Sequence, residues 1–521
     1  MAIERHFLGW DAPVTTKVRQ FLLPSELTGP VDLEKQLIVV PTRQAGRRLR
    51  EALALHCAEQ NTALLSPQVV TPTFFLQSKH ETARVPNQIE MTVVWIDVLM
   101  RADLTQYSEL FPARTLEHSF TWAMHTAGLL QGLRDSLLDG GYRIADILDR
   151  FGNVLEERQR WQDMARLEAA CLARLEELGL EDPCNITLHR AEKPELPKEI
   201  ERIIVAALPD PTPLMLRALE HLASQVPIDI LVHAPESLAD YFDQWGRPIT
   251  DKWNESQITI PDASRNLLLT VSPLGQSRKV IEVIAQESNR FGPVDIAIGV
   301  PNSEVTPFLM ADLADKDLIA FDPAGKSMAE HPLYHLVDAF HALVTEKTYA
   351  SFSAFLRHVD VLAFLQQEHN LSPRWLLEEL DEFQNQHLPL GVEDIAARFL
   401  PRGVERQDSH RGFGNMQKAA AFIQQQLESF QHQDMDTAIR SLLQTLYGVR
   451  TVNPNDAEDE EFIAASGLVD AALRELASDV ISRLGIEKEN ALAMLLQWLA
   501  TQRYYVERKG AVVDLEGWLE L

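Results

Sequence analysis

Two short stretches carry residue types able to hold a phosphate chain and its bases without breaking a bond. In the first, Thr42, Arg43 and Gln44 come directly after the apolar run at residues 37–40 and Pro41, with Arg47, Arg48 and Arg50 close behind. In the second, Thr71, Thr73 and Phe74 follow Val69 and Val70. Hydroxyl, carboxamide and guanidinium groups donate to phosphate oxygens, and an aromatic ring offers a face on which a base can stack. Helical spacing keeps Arg43, Arg47 and Arg50 near one face, a pattern that also suits a solvated helix.

Groups that could make or break bonds are sparse. Gly325-Lys326-Ser327 has the closing residues of a phosphate loop, but Ala320 stands where the first glycine of G-x-x-x-x-G-K-[ST] belongs. The acidic run Asp456, Glu458, Asp459, Glu460 and Glu461 has no histidine or turn glycine beside it and reads as a solvated loop. His56 falls in an amphipathic segment, and His432 has no second histidine or cysteine nearby. No G-x-S-x-G elbow occurs. Trp122, Trp161 and Trp245 suit either base stacking or the core face of amphipathic helices. The residues therefore assign no catalytic, nucleotide-binding or metal-binding position.

Composition narrows the classes further. A chain of 521 residues is too long for one hydrophobic core. Its 45% hydrophobic and 24% charged residues are those of a globular protein. With 76 acidic against 48 basic side chains the formal charge is −28, which excludes a general nucleic-acid coat and leaves DNA binding to local basic clusters. Cys57, Cys171 and Cys184 form no C-x-x-C pair, so a reducing compartment, the cytoplasm, is expected. No secretory signal is visible, no apolar run is long enough to span a bilayer, and no membrane partner is expected.

The elements that would position these groups alternate short apolar strands with long amphipathic helices, the pattern of α/β sheets carrying helical insertions. A strand at residues 37–40 leads into a helix reaching about Cys57, and another strand begins at Val69. Helices fill residues 92–180. A strand at 203–208, a helix at 214–222 and a strand at 228–232 make a β-α-β unit. A second series follows: strand 267–271, helix 275–290, strand 295–300 and helix 304–313. Residues 349–499 read as helical, with loops at 400–415 and 451–461, and residues 510–521 read as a loop entering a sheet.

The strand, turn and helix around Thr42 resemble the motif that follows the nucleotide loop in helicases of the UvrD/RecB superfamily, where it touches single-stranded DNA. The turn of Thr71, Thr73 and Phe74 resembles that family's next DNA-contacting motif. Asp322, Lys326, Met328, His331, Pro332 and Leu333, in the pattern D-x-x-x-K-x-M-x-x-H-P-L, resemble a segment of AddB-like, RecB-family exonucleases. Leu515-Glu516-Gly517-Trp518-Leu519-Glu520-Leu521 resembles a passage that such relatives continue with a further strand.

The resemblance implies an α/β fold of two P-loop-NTPase-like, UvrD/RecB-type parallel-sheet domains with large helical insertions. The first covers residues 1–265 with its insertion at about 92–200; the second covers 266–521 with its insertion at about 349–499, truncated before its last strands. It implies a degenerate nucleotide site as well. Residues 7–17 stand where a helicase carries its phosphate loop and keep only Gly9. Asp210 stands alone where active relatives pair Asp with Glu to hold magnesium, and Pro301 replaces the arginine that reaches the terminal phosphate.

The expected function is then a non-motor, DNA-binding scaffold of a helicase-nuclease in DNA repair and recombination. Thr42, Arg43, Gln44, Arg47, Thr71, Thr73 and Phe74 would line a single-strand path. No cofactor is expected in this stretch, while Mg2+ would serve a PD-(D/E)XK exonuclease domain beyond Leu521. An AddA-like helicase-nuclease subunit is the expected protein partner. The alternative is a protein-interaction module that docks a partner motor without touching DNA, and a third reading, an ATPase with a nonstandard loop near Gly9, requires measurable ATP turnover.

Overall fold

The computed structural model of the chain describes residues 3–77, 84–112, 118–257, 259–260, 262–399, 413–448 and 450–517. Strands run in chain order β1 (Ile3–Phe7), β2 (Val31–Asp32), β3 (Gln36–Val39), β4 (Leu64–Leu65), β5 (Gln68–Val70), β6 (Arg202–Ala206) and β7 (Ile228–Val232) in the first half. The second half supplies β8 (Ala297–Gly299), β9 (Ala320–Phe321), β10 (Lys326–Ser327), β11 (Arg503–Tyr504) and β12 (Val513–Glu516). The fold is mixed α/β with parallel sheets.

The larger sheet is wholly parallel, in the order β1-β7-β6-β3-β5. Its central strands β3, β6 and β7 are largely apolar because both faces are covered. Leu37 and Val39 of β3 join Ile203, Val205 and Ile230 against Met215 and Leu219 of the helix Pro213–Leu222. Ile38, one residue out of phase, joins Ile204 and Leu231 against the opposite layer. That layer consists of α1 (Val14–Leu22) and α2 (Arg43–Glu59), which contribute Val18, Leu49 and Leu53. The helix after β3 thus lies on one face and the helix after β6 on the other. The neighbouring ends of β3 and β6 form the switch point at which such sheets hold ligands.

A smaller parallel sheet, β8-β12-β9, is covered by the helices Pro273–Glu287 and Thr306–Ala314 around Ile298, Leu309, Leu313, Val513 and Leu515. Two long helical stretches, one from each half of the chain, pack into one body. Trp95 of the helix Gln88–Arg101 and Leu167 of Arg158–Leu178 share a core with Phe340 of Pro332–Glu346 and Leu495 of Lys488–Thr501. Arg483 donates to the Leu178 carbonyl across this junction at 3.3 Å. Cys57, Cys171 and Cys184 are free and buried, and burial pushes the Cys184 thiol up to about 12. No helix among the described residues is long and apolar enough to cross a membrane.

Two expectations change. Residues 267–271 form no strand: they pair with no strand among the described residues, Leu269 is 97% exposed and Val271 is fully exposed. The loop expected at 451–461 ends early, since Asp456 accepts from the Glu458 and Asp459 amides and starts the helix Ala457–Leu476. After β5 the chain makes only a 3-10 turn, Pro72–Leu76, in which Pro72 has no N–H to extend the ladder. Most of the loop expected at 400–415, and Trp518, Leu519, Glu520 and Leu521 of the closing passage, lie outside the described residues.

Candidate nucleic-acid interface

The carboxyl ends of β8, β9 and β12 open onto a cleft of about 1290 Å³, and its far wall is the Thr42 turn with the first turns of α2. Thr42, Arg43, Gln44, Arg47 and Arg50 all line it, so the helical spacing puts the three arginines on the cleft side. The Thr42 hydroxyl oxygen accepts the Ala45 N–H at 3.1 Å, which caps α2 and leaves the hydroxyl proton free to donate. Gln44 Oε1 accepts from Arg47 Nε at 2.9 Å, while its Nε2 is buried and has no partner among the described residues. Arg47 also pairs with Glu51 on α2. Arg43 and Arg50 are exposed and make no ion pair among the described residues. The helix N-terminus adds its own partial positive charge, so this wall presents spare donors to an anion.

On the opposite wall the cations are engaged. Lys326 pairs with Glu461 at 2.6 Å, and Arg503 donates to the Ala324 carbonyl at 2.7 Å. Arg508 bonds Asp514 at 2.8 Å, a contact that raises its pKa and fixes its charge. Arg48, on the flank of α2, reaches across to Asp514 and Glu516 of β12 and ties the two sheets together.

The second expected set is placed differently. The Val40 N–H donates to the Val70 carbonyl at 2.9 Å, so the turns after β3 and β5 are neighbours at one sheet edge. Thr71, Thr73 and Phe74 nevertheless are not among the residues lining the cleft. The hydroxyls of Thr71 and Thr73 lie 3.2 Å apart, and Phe74 packs partly buried on the sheet core beside Phe75. No protein-family model and no curated protein matches this chain.

The switch point between β3 and β6 holds a cavity of only about 40 Å³, walled by Val14, Val18, Val40, Ala45, Ala206 and Ala207. Around it the loop after β1 is fastened down: Gly9, at φ +81°, donates to the Ala234 carbonyl, and Lys17 is held by Asp11 at 2.8 Å. Asp210, Glu220 and Pro301 are exposed. Trp245 is buried in the sheet core, Trp122 packs edge-on to Phe111, and Trp161 lies against the helical core. His56 hydrogen-bonds Arg19. Glu4, His6 and Asp229 bring ligand atoms within 4.8 Å of one another, yet Asp229 is already engaged by His6 at 2.7 Å and by Arg202.

Arg50 and the wall from Arg503 to Arg508 also line the cleft, outside the residues expected there from the sequence. The signal is present: Arg503-Tyr504-Tyr505-Val506-Glu507-Arg508-Lys509 interleaves basic and aromatic residues. Gly325-Lys326-Ser327 also has a place in the structure, as the cleft-side strand turn rather than a phosphate cradle.

Proposed function

We propose that this chain is a non-motor, helicase-like DNA scaffold that holds single-stranded DNA in the cleft between its two sheets. The observation that carries this reading is charge placement. In a chain of net charge −28, Arg43, Arg47 and Arg50 gather on one cleft wall, beside the buried Nε2 of Gln44, which has no partner among the described residues. Phosphate oxygens supply the acceptors such a wall needs. Parallel strands ending at the cleft, and a switch point too small for a triphosphate, support two P-loop-NTPase-like sheets of UvrD/RecB type that no longer bind nucleotide. On this reading the chain belongs to a DNA repair and recombination machine with an AddA-like motor and a Mg2+-dependent exonuclease domain.

Fluorescence anisotropy with a single-stranded oligonucleotide tests it. Removing one cation that neutralises a phosphate should flatten the plot of log affinity against log salt by about 0.7. Arg43→Ala and Arg50→Ala are each expected to weaken binding and to show this change of slope. Wild-type protein that fails to bind at low salt would remove the proposal. A second reading, docking of a partner protein without DNA contact, draws on the exposed apolar residues Leu267, Leu268, Leu269 and Val271. Failure to bind DNA together with a complex formed with the motor subunit would favour it.

A further inference from the structure

The two walls of the cleft differ in kind, and the difference divides the labour of binding a strand. On the α2 wall, Arg43 and Arg50 are free of ion pairs among the described residues. On the facing wall Lys326, Arg503 and Arg508 are tied to Glu461, to backbone carbonyls and to Asp514. What that wall offers instead is Tyr505, a cleft-lining aromatic residue that is 62% exposed. Its neighbour Tyr504 is buried, with its ring edge-on to His331 and its hydroxyl bonded to Glu461 at 3.0 Å. The two tyrosines alternate sides, as successive residues of an extended chain must.

The Tyr505 ring is also held in place. A β-carbon on Gly325 would lie 2.8 Å from Cδ1 and Cε1 of that ring and 2.7 Å from the Tyr504 carbonyl oxygen. Gly325 sits at φ +75°, so both its conformation and its lack of a side chain let one ring edge rest on the backbone. The Arg503 guanidinium fixes this stretch by donating to the carbonyls of Ala324 and Gly325. An exposed aromatic residue braced against backbone, across a cleft from guanidinium groups with no ion pair among the described residues, has the form of a stacking platform.

We infer that Tyr505 stacks on an unpaired base of a nucleic-acid strand whose phosphates lie along the Arg43 and Arg50 wall, with Gly325 as the positioning residue for the ring. The inference rests on the reading of the cleft as a nucleic-acid site and adds the group that reads bases as opposed to backbone. A π-face accepts any base, so the platform gives affinity for unpaired strands without sequence preference. A duplex keeps its bases stacked on each other and gains nothing from the ring.

The full chain is titrated with two labelled oligonucleotides of equal length, oligo-dT and an abasic strand carrying the same phosphates. Wild-type protein is expected to bind oligo-dT at least several-fold more tightly. Tyr505→Ala should lose roughly tenfold in affinity for oligo-dT and none for the abasic strand, with an unchanged salt slope. Tyr505→Phe should bind like wild type, and Gly325→Val should behave like Tyr505→Ala. An unchanged thermal midpoint of Tyr505→Ala shows that the fold is intact, as its exposure leads one to expect. Equal loss for both strands, or no loss for oligo-dT while Arg43→Ala weakens binding, overturns the stacking role and leaves the scaffold reading standing. No binding of either strand by wild type overturns the scaffold reading itself.

Discussion

His331 accepts the Leu333 N–H through Nδ1 at 3.0 Å and so caps the helix Pro332–Glu346. A ring nitrogen accepts only while unprotonated, and burial pushes the His331 pKa below its ordinary value. Burial does the same to His341 and His358 in the helical body. Each of these groups resists protonation when folded and takes it up freely when unfolded. Stability is therefore unaffected above the unfolded value, near pH 6.5, and declines as pH falls from there toward the folded value. The thermal midpoint should be lower at pH 5.5 than at 7.5. His331→Asn, which caps without titrating, should show a smaller drop, and an equal drop would place the sensitivity elsewhere. The roles of the stretch from Asp322 to Leu333 are visible only in three dimensions. Met328 and Leu333 are core residues, His331 is a cap, and Lys326 reaches Glu461, far along the chain.

At the scale of elements, α2 depends on one glycine. A β-carbon on Gly46 would sit 3.2 Å from Val69 Cγ1 and 3.3 Å from Val40 Cγ2, so the helix lies as close to the sheet as its backbone allows. Gly46→Leu should push α2 outward at a cost of about 1–3 kcal/mol, read as a lower thermal midpoint. The same shift would displace Arg43, Arg47 and Arg50 relative to the facing wall, so weaker oligonucleotide binding should accompany it. Retention of full affinity would show that the arginines act independently of the helix seat. Period and composition make β3, α2, β6 and β7 legible in the sequence, because their apolar residues are the ones they bury. The stretch at 267–271 misleads for the converse reason. Apolarity states what a segment can bury, and only the fold states whether a partner is there to bury it against. The acidic run misleads because Asp456 doubles as a helix cap, and Asp459, Glu460 and Glu461 each have a cation, Arg450, Lys509 and Lys326. The pairings of Glu460 and Glu461 join residues far apart in sequence and leave no local trace.

For the whole molecule the consequential feature is that the two helical insertions are not separate. Trp95, fully buried on the helix Gln88–Arg101, belongs to the same core as Phe352, Leu473 and Leu495 from the second half. The helix Ala457–Leu476 and the short helix Asp479–Leu484 both contact Gln88–Arg101, and Arg84 pairs with Glu90 and Asp479. Elsewhere in the molecule, Arg48 joins α2 to β12. The chain thus passes from sheet to helical body to sheet and back to the same helical body, and the two halves that form the cleft are joined at both places. Neither half can bury alone the apolar surface it contributes to the shared helical core. Expressed separately, residues 1–265 and 266–521 should each be aggregation-prone and lack a sharp thermal transition, whereas co-expression should restore a soluble pair. Trp95→Ala removes a large ring from the shared core and should cost about 3–5 kcal/mol. Because that core is common property, hydrogen exchange in Trp95→Ala should quicken in the helix Lys488–Thr501 as well as in Gln88–Arg101. Faster exchange confined to the first half would mean that the insertions touch without sharing a cooperative core. In that case the cleft geometry would have to be maintained by polar ties between the halves, Arg48 to Glu516, Arg84 to Asp479 and Arg483 to the Leu178 carbonyl.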